Sequence, residues 1–130
     1  MFAFRLDSSG VPTYLQLVDQ VRRAVLLGYL VDGDQLPTVR EVAGALVVNP
    51  NTVAKAYREL DRAGLVTARA GQGTFVTGRV DQVPTATYAR LSRGLRAWLR
   101  TAREAGLAPE QIRALVSATV DDNESRAGAA

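Results

Sequence analysis

The stretch Pro37–Thr77, PTVREVAGALVVNPNTVAKAYRELDRAGLVTARAGQGTFVT, decides the fold. Thr38 and Glu41 have the T-x-x-E spacing of a capping box, so a short helix is predicted from Val39, with Val42, Ala43 and Leu46 on its inner face. After Val47 and Val48, Asn49 is a good N-cap and Pro50 suits the first helical position, where its missing N–H is no loss. A second helix therefore starts at once, and two helices this close must cross steeply. Within it Val53, Ala56, Tyr57 and Leu60 recur at i, i+3, i+4 and i+7, one apolar stripe for the core. The opposite face carries Asn51, Lys55, Arg58 and Arg62, with Thr52 and Glu59 at its edge. Gly64 supplies the stop. Residues 65–69 and 74–77 then read as strands joined by Ala70-Gly71-Gln72-Gly73, a small hairpin beside the second helix.

This order of elements is suited to reading double-stranded DNA, with the N-terminal end of the second helix entering the major groove. There Asn51, Thr52 and Lys55 can meet base edges or phosphates, with Arg58 on the same face. The bland reading of these residues is an ordinary polar helix face. Arg40, in the first turn of the preceding helix, can grip phosphate or guanine, or it can simply pair with Glu41. Tyr57 lies on the apolar stripe and reads as core. The glycines of the hairpin tip do not make a nucleotide loop, because no Lys follows and no helix opens after them. They let the backbone approach closely, so Gly71 and Gln72 can reach the minor groove or its phosphates, with Arg69 just below.

The pattern L-P-T-x-R-E-x-A-x-x-L, then V-N-P-N-T-V-x-K-A-Y-R-E-L, then G-L-V and G-x-G-T-F-V, resembles the N-terminal domain of GntR-family bacterial transcription regulators from about Pro12 to Thr77. The version V-N-P-N-T-V-A-K-A-Y-R-E-L is most similar to the YtrA branch. The resemblance implies a winged helix-turn-helix, with transporter operons among the targets; a homodimeric repressor is expected, and two copies joined through the C-terminal helices would call for an inverted-repeat operator. Better-known members place three arginines on the reading helices. Arg40 matches the first, whereas Pro50 and Ala54 occupy the positions of the other two. Specificity must then fall more on Asn51, Thr52, Lys55 and the wing.

At 130 residues, 47% of them apolar, the chain has enough for a small core but not for a large enclosed pocket. No run approaches a membrane span, and the first residues lack the basic start and apolar centre of a signal peptide, so a cytoplasmic protein without a membrane partner is expected. The absence of Cys and His excludes disulfides, thiolate or imidazole metal sites and any Cys or His catalyst. Enzyme chemistry has little room, and neither cofactor nor metal is expected. The net charge of +3 is compatible with a polyanionic partner.

Residues 1–11 read as a flexible or weakly paired lead-in. From Pro12 to Leu27, Tyr14, Leu17, Val18, Val21, Ala24 and Val25 recur at helical spacing, a scaffold helix ended by Gly28. Asp32-Gly33-Asp34 is turn chemistry, because an isolated D-x-D lacks the further oxygen ligands a hard cation needs. Residues 1–78 form the predicted winged domain, and 79–84 a linker. A helical dimerisation region is predicted over 85–121, with a disordered tail at 122–130. In that region Tyr88, Leu91, Leu95 and Trp98 make a heptad-like seam widened by Leu99. Arg90, Arg93, Arg96, Arg100 and Arg103 lie on the other side and read as a solvated face. Gly106 breaks this helix and Pro109 starts another, in which Ile112, Leu115 and Val116 share a face. The fold class is mainly α with a small β wing, followed by a helical hairpin. A rival function is a winged-helix module for protein contacts without specific DNA binding. The effector, if one exists, is not legible.

Overall fold

The computed structural model describes residues 2–77 and 84–128. Five helices and one hairpin follow in chain order: α1 (Thr13–Leu26), α2 (Val39–Leu46), α3 (Pro50–Arg62), β1 (Val66–Arg69), β2 (Gly73–Val76), α4 (Thr85–Glu104) and α5 (Pro109–Gly128). The chain divides into two compact units, Met1–Gln82 and Val83–Ala130. The linker expected at 79–84 lies outside the described residues except for Pro84.

In the first unit Thr38 and Asn49 cap their helices as the sequence predicts, although among the described residues the Glu41 side chain does not return the bond that would complete a capping box. Thr38 Oγ1 accepts the Glu41 N–H at 3.1 Å to start α2, and Asn49 Oδ1 accepts the Asn51 N–H at 2.8 Å to start α3, whose first residue is Pro50. Between the two helices Val47 stands in the left-handed region at φ 55°, a conformation costly for a β-branched residue, with its side chain in solvent. That single left-handed residue turns the chain from α2 into α3. Leu17 and Val21 of α1 and Val53 and Leu60 of α3 are completely buried, with Leu36 and Val76 beside them, so α3 is held from both sides by α1 and α2.

Tyr57 joins this core and not the polar face. Its hydroxyl donates to the Pro37 carbonyl at 2.5 Å, which ties α3 to the chain just before α2. Burial, and secondarily the Glu41 carboxylate, push its ionisation well above the ordinary tyrosine range, so the hydroxyl remains a donor. Tyr57→Phe leaves the Pro37 carbonyl without this partner and is expected to cost about 1–3 kcal/mol of stability, read from urea unfolding by circular dichroism. An unchanged midpoint would show that water replaces the bond.

Two segments are more ordered than the sequence suggests. Residues 2–11 lie along α1: Gln20 exchanges hydrogen bonds with the Arg5 backbone at 2.8 and 2.6 Å, and Gln16 does the same with Asp7 at 3.0 and 3.3 Å. Side-chain amides one helical turn apart thus replace a partner strand, and Phe4 is buried within reach of Tyr57. The connection before α2 is not plain loop either. Gln35 bridges Phe75, the Leu36 N–H donates to the Thr74 carbonyl at 2.9 Å, and the Val76 N–H donates to the Asp34 carbonyl at 2.8 Å. The wing therefore has a third extended segment on one edge. Its own strands pair antiparallel, Val66 opposite Val76 and Arg69 opposite Gly73.

In the second unit Gly106, at φ 95°, ends α4 with the Leu107 N–H returning to the Ala102 carbonyl at 3.1 Å. Gln111 Oε1 accepts the Ala108 N–H at 2.7 Å and opens α5. The two helices are 20 residues each, yet among their described side chains only Ala102 and Ile112, on either side of the turn, are buried. They are joined as expected but do not pack along their length. Helix α5 continues to Gly128 where a disordered tail is expected from 122. Nothing in Asp121–Ala127 breaks a helix, and propagating one already nucleated is cheap. Residues 129 and 130 lie outside the described residues.

Candidate nucleic-acid interface

The polar side of α3 is exposed as its spacing predicts. Asn51, Lys55 and Arg58 are exposed and Thr52 is half-buried, while the stripe Val53, Ala56, Tyr57 and Leu60 is buried. Arg40 is exposed in the first turn of α2. Ion pairs among the described residues join Arg23 to Asp19 and Arg62 to Glu59. Neither involves Arg40 or Arg58, so the alternative pairing of Arg40 with Glu41 does not form. These guanidinium groups remain available to an anion, whereas Arg62 is partly neutralised on its own helix.

Two cations rest on rings. Lys55 Nζ lies 3.9 Å from the centroid of the Tyr14 ring, and Arg69 Cζ lies 4.5 Å from that of Phe75. Both distances are within cation–π range. Tyr14 was expected only as a member of the α1 stripe, and its half-buried ring does pack on the core. No local signal marks it as a neighbour of Lys55, because 41 positions separate the two and only folding joins them.

At the wing tip Gly71 has φ 74° and open space around a would-be Cβ, so backbone conformation and not crowding demands glycine there. Gly73 differs: a Cβ would meet Gln35 Nε2 at 2.6 Å. That amide donates to the Gln72 carbonyl at 3.0 Å and holds the tip against the segment before α2. Gln35 is a second residue that sequence reasoning misses. Asp34 is a turn carboxylate, accepting the Val31 N–H at 2.9 Å, and no cluster able to hold a metal occurs among the described residues.

Residues 13–76 match the model of the bacterial regulatory proteins of the gntR family. The transcriptional regulator Rv1152 of Mycobacterium tuberculosis is 39% identical over 119 residues, 91% of this chain and 94% of that protein. The chain belongs to the GntR family. The transcriptional repressor YtrA of Bacillus subtilis is 44% identical over 69 residues, 53% of each chain. Among solved structures, the DNA-binding domain of AraR in complex with operator ORX1 aligns with a TM-score of 0.50 at 27% identity, covering 59% of this chain and 93% of that one. Rv1152 and YtrA are by name transcription regulators.

Within the GntR framework the present chain has Pro50 as the first residue of α3 and Ala54 one turn later, both without a cation. Lys55 and Arg58 are the basic groups that α3 leaves without a carboxylate. The second unit has a different character. Leu91, Leu95, Trp98, Leu115 and Val116 are exposed, Tyr88 and Leu99 are half-buried, and Ile112 is only 7% exposed. Ile112 is therefore taken up by its own chain, and the expectation that it lies on an outward face is corrected. Among the described residues no helix is long and apolar enough to cross a membrane.

Proposed function

We propose that this GntR-family regulator acts in the cytoplasm as a homodimeric repressor, binding an inverted-repeat operator and blocking access to its own or a neighbouring promoter. The observation that carries the reading is the set of exposed basic groups on α2 and α3, Arg40, Lys55 and Arg58, left without carboxylate partners beside a glycine-tipped wing. An exposed row of this kind, with Asn51 and Thr52 at the start of α3, offers both phosphate neutralisation and amide or hydroxyl contact with base edges. Arg69, Gly71 and Gln72 extend the contact to the adjacent minor groove or its phosphates. The repressor sense is supported by the relative YtrA, a repressor by name.

The homodimer is supported by the apolar side chains that α4 and α5 leave in solvent. A second copy returns the same surface, the commonest closed solution for an apolar patch, and the two α3 helices would then address successive major grooves. A footprint on the DNA upstream of the protein's own gene tests the reading. Arg40→Ala and Lys55→Ala are each expected to weaken binding to the protected duplex by about 1–3 kcal/mol at fixed salt. Weak retention on any duplex, indifferent to both substitutions, would favour a protein-interaction module instead.

A further inference from the structure

Lys55 combines exposure with a fixed position. Its ammonium nitrogen sits 3.9 Å from the centre of the Tyr14 ring, in the first turn of α1, and that ring is itself packed on the hydrophobic core. A lysine on an open helix face ordinarily samples many rotamers, and ordering it against a ligand costs conformational entropy. Here part of that cost is met within the folded protein, because a rigid aromatic face attracts the cation and leaves N–H donors free on its far side. The wing repeats the device with different residues, Arg69 over Phe75 at 4.5 Å. No carboxylate takes part in either pair, so neither cation is neutralised.

We infer that Tyr14 is a positioning residue for nucleic-acid binding: its ring presents the Lys55 ammonium to the DNA in a conformation set before contact. The inference rests on the DNA-binding reading above and adds to it a residue from the scaffold helix. Preorganisation of this kind raises affinity by reducing what must be ordered on binding, without a new contact between Tyr14 and the ligand. The phenolic hydroxyl has no part in it, so phenylalanine serves equally well and leucine, of similar apolar character, does not.

The test uses the full-length chain and a duplex that the wild-type protein selects from a random pool. Tyr14→Leu is expected to weaken binding about twofold to fivefold, the span of a cation–π contact at an exposed site, while Tyr14→Phe stays close to wild type. In a Lys55→Ala background Tyr14→Leu should add nothing further, since positioning acts only through the lysine. In the free protein the Lys55 ε-methylene protons should show an upfield ring-current shift that Tyr14→Phe preserves and Tyr14→Leu abolishes. Circular dichroism and thermal unfolding of each variant separate loss of fold from loss of positioning. A Tyr14→Leu variant that binds more tightly would mean that the ring withholds the lysine, and an undiminished effect in the Lys55→Ala background would mean that Tyr14 acts by another route. Either result overturns the proposal. A wild-type protein that selects no sequence, or a Lys55→Ala variant with full affinity, instead removes the DNA-binding reading at this residue, and the proposal with it.

Discussion

Trp98→Glu is expected to turn the proposed dimer into a monomer at micromolar concentration and to weaken binding to the proposed inverted-repeat operator by about two to four orders of magnitude. The size follows from geometry. Two reading heads on one body make the second contact intramolecular, and separating them removes that gain without touching any residue at the DNA. Trp98 is 38% exposed on α4, with Leu91 at 59% and Leu95 at 53% along the same seam. Trp is enriched among the residues that dominate interface energies, and a carboxylate buried at such a position would be left without a partner. Sedimentation of the wild type and variant, with parallel titration of one half-site and the full repeat, checks both parts. A wild-type chain that sediments as a monomer and binds one half-site as tightly as the repeat would sink the dimer. Half-site binding by the variant should persist, because its α3 and wing belong to the other unit.

The second large effect concerns stability. Leu60 is fully buried on α3, and its carbonyl also accepts the Leu65 N–H at 3.0 Å where the chain leaves the helix for the wing. Leu60→Ala leaves a cavity at the centre of the first unit and is expected to cost about 2–5 kcal/mol. A domain of this size has only about 5–15 kcal/mol in total, so the variant should unfold at markedly lower urea, and its core α3 amides should lose hydrogen-exchange protection to the same extent. Retention of the wild-type urea midpoint would mean that the neighbours collapse into the space.

Most of the reading unit was legible because its determinants are local. Thr38, Glu41, Asn49 and Pro50 set helix starts through bonds spanning three residues or fewer, and the Val53–Leu60 stripe follows from 3.6-residue periodicity alone. The loop positions were harder. Gln35 looks like any polar residue between two turns, and its role appears only when the segment before α2 is laid on the edge of β2. Gln16 and Gln20 fall between the apolar positions of α1 and look like ordinary solvent-facing residues, whereas their amides hold the backbone of Asp7 and Arg5 respectively. Those partners lie 9 and 15 positions away, beyond any local pattern.

For the second unit the balance is different. The break at Gly106 and the restart at Pro109 are covalent and conformational properties of those residues, and the sequence suffices for them. The extent of α5 is not, because charged and small residues that suit a frayed end suit a solvated helix equally well. By itself the sequence determined the element order, the caps, the buried stripe and the exposed face of α3, since each depends on chemistry within one or two helical turns. Tertiary structure alone decided that Tyr14 lies under Lys55, that Gln35 holds the wing tip, and that Ile112 is covered by its own chain while Leu91 is left mostly in solvent. Those facts depend on which distant surfaces meet, and no residue carries that information in its neighbours.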